Sequence, residues 1–175
     1  MKTNVLVCSV GGQNIKPYLD FFYKYATKTG NRIYIDYNKG FSPERCSEKY
    51  SIRIGDGFGE ILPGGADAVI ATEQLEAVKA RFYPNEDGGL IVSKKRILPT
   101  SVINGASVYP SDCIQKCIND CFKVFDYDDD FLTACFLSLR LIGESKERCV
   151  ALFADEYENV SETIENAFSR KFVKA

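Results

Sequence analysis

Asn4-Val5-Leu6-Val7-Cys8-Ser9 forms a short apolar run near the start of the chain, and Gly11-Gly12 ends it. An unbroken apolar run of this length, closed by glycines, reads as a strand buried on both faces, as in a parallel sheet. Residues 15–29 follow as a helix, with Ile15, Leu19, Phe22 and Ala26 on one face. Pro17 falls in its first turn, where a missing N–H is tolerated, and Gly30 supplies a natural stop. Residues 32–36, Arg-Ile-Tyr-Ile-Asp, read as a second strand. Strand, glycine-rich turn, helix and strand make a βαβ start.

The pattern continues outward from there. Residues 37–47 read as a polar loop and 48–55 as an alternating strand. Residues 66–72 (Ala-Asp-Ala-Val-Ile-Ala-Thr) and 90–93 read as further strands, with a short helix at 74–82 between them. Asp112 and Gln115 have the spacing of a capping box for a helix over 112–121. Residues 122–125 suggest a short strand, and 131–142 and 147–172 read as helices. Strands alternating with helices predict an α/β fold: a three-layer αβα arrangement with a mostly parallel sheet and a Rossmann-like βαβ start. A length of 175 residues, without repeat or linker, predicts one domain over 1–175.

Composition narrows the chemistry. The 22 basic and 24 acidic side chains nearly balance, which argues against nucleic acid as the main partner. No apolar run approaches the roughly 20 residues that span a bilayer, and the N-terminus lacks the pattern of a signal peptide, so a cytoplasmic protein is expected. The seven cysteines are an odd number without a secretion signal, which predicts reduced thiols rather than disulfides. There is no histidine. That removes Ser-His and Cys-His couples, His-ligated metals and His acid–base chemistry. No catalytic and no metal-ligating residue is assigned.

The glycine-rich turn is the main candidate site. Ser9-Val10-Gly11-Gly12-Gln13-Asn14 lies between the first strand and helix, where a dinucleotide fingerprint and the free N–H groups of a helix N-terminus would lie. Asp36 ends the second strand, about where a ribose-binding acid belongs. The motif is broken, with Ser9 and Asn14 where the outer glycines would be. A tight turn that binds nothing, a small dinucleotide-binding enzyme and a scaffold that has lost its site therefore stand as alternatives.

Several segments, taken together, resemble the γ subunit of 2-oxoacid:ferredoxin oxidoreductases. Residues 4–13 look like its first strand and G-x-G-G-Q-G turn. Ile52-Arg-Ile-Gly-Asp56 resembles its V-R-I-G-D segment. Residues 66–77 resemble A-D-V-L-L-A-L-E-P-L-E-A, and Gly88-Gly-Leu-Ile-Val-Ser93 is similar to its G-G-T-V-I-V-N strand. The nearest flavour is the β subunit of indolepyruvate oxidoreductase. The resemblance implies a non-autonomous subunit of a complex that oxidatively decarboxylates a 2-oxoacid with coenzyme A. Thiamine diphosphate and iron–sulfur clusters would sit in thiamine-binding and ferredoxin-like partner subunits. It implies cofactor contacts at Gly11, Gly12, Gln13, Asn14, Gly40 and Ser42.

The loop 39–46 departs from the family's H-G-M-S-Q-R-G-G. It reads Lys-Gly-Phe-Ser-Pro-Glu-Arg-Cys, with Glu44 reversing a charge and Arg45-Cys46 replacing two glycines. The family's N-P-R-x-x-N segment is missing from residues 126–159. A divergent member is implied.

Other groupings have plainer readings. Cys113, Cys117 and Cys121 recur every four residues beside Ile114 and Ile118. They lack cluster spacing and are expected to be small core residues, as are Cys8 and Cys135. Cys46, beside Arg45 and Lys49, is the candidate reactive thiol. The acidic run 126–130 is expected to cap a helix, and Lys94-Lys95-Arg96 to be solvated surface. Ten Tyr and twelve Phe exceed what one core holds, which predicts a subunit interface and allows a homodimer.

Overall fold

A computed structural model describes residues 2–39, 46–121 and 123–173. Six strands, β1 (Thr3–Val10), β2 (Ile33–Lys39), β3 (Ser47–Ile54), β4 (Ala66–Ala71), β5 (Pro84–Ser93) and β6 (Val124–Tyr127), form one sheet in the order β2-β3-β1-β4-β5-β6. β1, β4, β5 and β6 run parallel, whereas β3 is antiparallel to both β1 and β2. The β1–helix–β2 succession is present as expected, but β3 lies between its two strands. The β3 alternation is the sign of this: Tyr50, Ile52 and Ile54 lie on one face and Lys49, Ser51 and Arg53 on the other. Arg53 is held by the Asn4 side chain and the carbonyls of Gly59 and Glu60.

Helices cover both faces. On one lie α1 (Lys16–Lys28), α5 (Phe131–Leu141), α6 (Lys146–Phe153) and α7 (Val160–Ser169). Their core is aromatic, with Phe21 stacked on Phe153 at 4.6 Å and edge-on to Phe136 at 5.2 Å. On the other lie α2 (Gln74–Ala80) and α4 (Ser111–Asn119), packed through small residues such as Ala71, Ala77 and Ala80. A short helix, α3 (Thr100–Ile103), precedes α4.

Four expectations need correcting. Residues 147–172 form two helices rather than one, because Asn159 takes the left-handed conformation (φ 54°) and turns the chain between α6 and α7. Asn is among the residues that tolerate this conformation. The polar loop predicted at 37–47 is shortened at both ends by β2 and β3. The cap of α4 is Pro110, without a side-chain bond, so Asp112 lies inside the first turn instead of capping it. Cys113, Cys117 and Cys121 are not core residues. Ile114 and Ile118 take the buried stripe, leaving Cys113 exposed and the other two half-buried. Cys8, Cys135 and Cys149 are buried, and burial pushes the Cys8 and Cys149 thiols up to about 12.

Candidate functional site

The carboxyl ends of β1 and β4 lie side by side. From β1 the chain leaves along one face of the sheet through α1, and from β4 along the other through α2. This is a topological switch point, where ligands of open α/β sheets bind. An open cleft of about 530 Å³ lies there, lined by Gly11 to Ile15, Pro17, Tyr18, Thr72, Lys95, Ile97, Asp129 and Phe131. Gly11, Gly12, Gln13 and Asn14 are therefore brought together at one mouth. Gly40 and Ser42 lie outside the described residues, as do Glu44 and Arg45.

The turn is held by Gln13. Its Oε1 accepts the Val10 N–H at 2.9 Å and the Thr72 hydroxyl at 2.6 Å, while Nε2 donates to the Thr72 carbonyl at 3.3 Å. The Gln13 amide thus couples the ends of β1 and β4. The Gly11 N–H donates to the Cys46 carbonyl at 2.8 Å and that of Gln13 to Val10 at 3.1 Å. Among the described residues, the N–H groups of Gly12 and Asn14 have no partner, and both residues are exposed. Gly12 has φ +93°, and a Cβ there would meet nothing within 4 Å. Its glycine answers to backbone conformation rather than crowding. Helix α1 begins directly behind with no side-chain cap; Pro17 has no N–H and the Tyr18 N–H already donates to the Ile15 carbonyl, so what the helix presents to the cleft is the positive end of its dipole. Below the turn, the fully buried Ser9 hydroxyl has no hydrogen-bond partner among the described residues.

The far wall rests on a residue the sequence reading missed. Glu73 is fully buried. Its Oε2 accepts the N–H groups of Leu75 (2.6 Å) and Glu76 (3.3 Å), capping α2. Its Oε1 accepts the Ile97 N–H (3.2 Å) and the Tyr109 hydroxyl (2.5 Å). Burial first, and then the bond to Glu73, raise the Tyr109 pKa. One carboxylate thereby fixes α2, the segment after β5 and Tyr109. The signal was present in Thr72-Glu73, an acid placed between a strand and a helix where a cap belongs. Lys95, read from the sequence as solvated surface, lines the cleft but pairs with Asp129 at 2.9 Å, which leaves the wall nearly neutral.

The acidic run behaves as read: Asp130 caps α5 through the N–H groups of Leu132 and Thr133, both at 3.1 Å. Lys94 meets Asp126 and Asp128, so the basic run is paired surface. Among the described residues no three His, Cys, Asp or Glu side chains come together to hold a metal ion, and the cysteine placement does not fit an iron–sulfur cluster. Asp36 lies on β2, two strands from β1, roughly 10 Å across the sheet at about 4.8 Å per step. It is not placed as the ribose acid of a dinucleotide site, where the second strand neighbours the first. A second cleft of about 480 Å³ lies at the opposite end of the sheet, around Phe82, Gly88, Cys117 and Cys121. Its two glycines have a packing reason. A Cβ at Gly88 would lie 2.5 Å from the Ala66 carbonyl, and one at Gly89 2.8 Å from Leu141.

No family model matches the sequence. Over 111 residues the chain is 31% identical to indolepyruvate oxidoreductase subunit IorB of Archaeoglobus fulgidus, a match covering 63% of this chain and 55% of that protein. It is 32% identical over 111 residues to the IorB of Methanothermobacter thermautotrophicus, covering 63% and 57%. Over the matched stretch the chain is similar to the IorB subunits. The matched stretch spans little more than half the length of those relatives. Among solved structures, pyruvate oxidoreductase subunit PORC of Thermotoga maritima superposes with a TM-score of 0.57 at 15% identity, covering 96% of this chain and 93% of that one. The keto/oxoacid ferredoxin oxidoreductase gamma subunit of Geobacter sulfurreducens gives 0.55 at 16%, with coverage of 96% and 93%. The fold is that of these γ-type subunits, as the segment matches implied.

Proposed function

We propose that this chain is a γ-type subunit of a 2-oxoacid:ferredoxin oxidoreductase of the indolepyruvate or pyruvate kind, and that it does not act alone. The observation that carries the reading is the 111-residue match to the IorB subunits. In the complex, a 2-oxoacid is oxidatively decarboxylated with coenzyme A. Thiamine diphosphate and the iron–sulfur clusters belong to thiamine-binding and ferredoxin-like partners. The whole chain serves as one domain, and the complex is cytoplasmic; among the described residues no helix is long and apolar enough to cross a membrane.

Within this reading the switch-point cleft is where the chain touches a cofactor or substrate of the complex. Gly12 and Asn14 offer backbone N–H groups backed by the α1 terminus, which suits an anionic group. Gly11 and Gln13 shape the turn, and Gly40 and Ser42 belong to the same contact set. Purifying the chain with its gene-neighbour products and assaying 2-oxoacid-dependent dye reduction with coenzyme A tests the role. Activity is expected from the assembled complex only. Full activity from the isolated chain, or failure of any thiamine-binding protein to co-purify, would overturn it. Asn14→Asp, which places a negative charge at the cleft, is expected to raise KM for the anionic substrate or coenzyme about tenfold with little change in folding.

A further inference from the structure

Strand β2 forms one edge of the sheet, and no strand pairs with its outer side among the described residues. It is seven residues long and carries Tyr34 and Ile35, which are 42% and 37% exposed. A long, exposed, apolar edge is a template for pairing with another chain.

The hydrogen-bond phase of this edge is fixed. Gly55 N–H donates at 2.8 Å to the Arg32 carbonyl directly opposite it, one step beyond the Ile33–Ile54 pair. In an antiparallel ladder alternate residues point both backbone groups at the partner. The groups of Tyr34 and Asp36 therefore face β3, and those of Ile33, Ile35 and Tyr37 face outward.

The sequence of the edge is self-complementary in one register. A two-fold axis through Tyr34 sets Ile33 against Ile35 and Arg32 against Asp36, each twice by symmetry. The outward groups of Ile33 and Ile35 then meet as a hydrogen-bonded pair. Arg32 is exposed, Asp36 is half-buried, and neither has a side-chain partner among the described residues. The register centred on Asp36 would bring two like charges face to face, which is unfavourable. The register centred on Ile35 would leave Arg32 opposite Asn38.

We propose that β2 is a self-pairing edge, and that a second copy of the chain docks antiparallel on it with Tyr34 on the two-fold axis, joining the two sheets into one. The Arg32–Asp36 pairs select a second copy over an unrelated strand, because both halves of the complementarity lie on the same seven-residue segment and its flank. The inference is independent of the proposed catalytic role.

The interface is small, so dissociation in the range of about 1–100 μM is expected. Sedimentation of the full-length chain across that range tests it. Arg32→Asp and Asp36→Arg each turn both symmetry-related pairs repulsive and are expected to weaken the dimer at least about tenfold. The double swap Arg32→Asp with Asp36→Arg restores the pairs and is expected to recover dimerisation. Ile35→Pro removes an outward N–H without touching the β3 ladder, a position where an edge strand tolerates proline, and is expected to give a folded monomer. Circular dichroism on diluted samples confirms that each variant folds. A wild-type chain that stays monomeric through about 100 μM overturns the proposal, as do single charge variants that dimerise like wild type. So does a double swap that fails to recover while remaining folded.

Discussion

The two edges of the sheet are finished differently. At β6 the chain returns to cover its own edge. The Val173 N–H donates to the Val124 carbonyl at 2.7 Å, Arg170 donates to the Asp126 carbonyl at 2.5 Å, and Phe172 stacks on Phe125 at 4.3 Å. Arg140 lies over Phe125 at 5.0 Å and holds the Ala167 and Arg170 carbonyls, tying the tail to α5. At β2 no such cover exists among the described residues. One strand of four residues is closed from within, whereas one of seven is left with its peptide groups outward. Closure by a tail stabilises the monomer, and an open edge leaves pairing groups for another chain.

The largest effect that tests this contrast is expected at the closed edge. Phe125→Ala removes a fully buried ring and leaves a cavity under Phe172 and Arg140. It is expected to cost about 3–5 kcal/mol, read from urea unfolding. A loss below ~1 kcal/mol would show that the tail is not anchored there. Phe172→Ala takes away a ring that is 39% exposed, so a smaller loss of about 1 kcal/mol is expected. Because it also uncovers the β6 edge, concentration-dependent light scattering is expected to rise relative to wild type. If it does not, the tail contributes packing but no edge protection. Tyr34→Ala at the open edge is expected to change monomer stability by no more than about 0.5 kcal/mol, measured at high dilution. A larger loss would mean that β2 is integrated into the monomer's core.

The smallest expected effect depends on pH. Lys94, bonding to Asp128 beyond β6, holds that carboxyl below its usual range. A depressed folded-state pKa means that the contribution is present above the unfolded value, near 3.9, and is lost as pH falls through the folded value. The pair is well exposed, with side chains 52% and 66% accessible, so solvent screens most of it. The difference in melting temperature between wild type and Lys94→Ala is therefore expected to be small at neutral pH and to vanish as the carboxyl of Asp128 takes up its proton in acid. A difference that persists in acid would point to packing by the lysine stem.

Periodicity made the main elements legible. The apolar runs at β1, β4 and β5 and the stripe on α1 show which segments lie inside. Pro17 and Gly30 mark the helix between the first two strands. The position of β3 was not legible, because nothing local distinguishes a strand that pairs beside β1 from one that adds beyond β2. That choice is made by Arg53 reaching Asn4 and by Ser51 meeting the Ile61 N–H, contacts between residues distant in sequence. The cysteines of α4 show a related limit. Cysteine and isoleucine stripes run side by side on one helix, and only its packing against α2 and the sheet puts Ile114 and Ile118 inside.

By itself, the sequence determined the layer architecture, the glycine turn between β1 and α1, and the similarity to the IorB subunits, because burial periodicity and turn chemistry are written in neighbouring residues. Tertiary structure decided that Gln13 locks to Thr72, that a buried Glu73 ties three segments together, and that one edge of the sheet is covered while the other stays open. Each of these depends on groups tens of residues apart arriving at hydrogen-bonding distance, which no local pattern encodes.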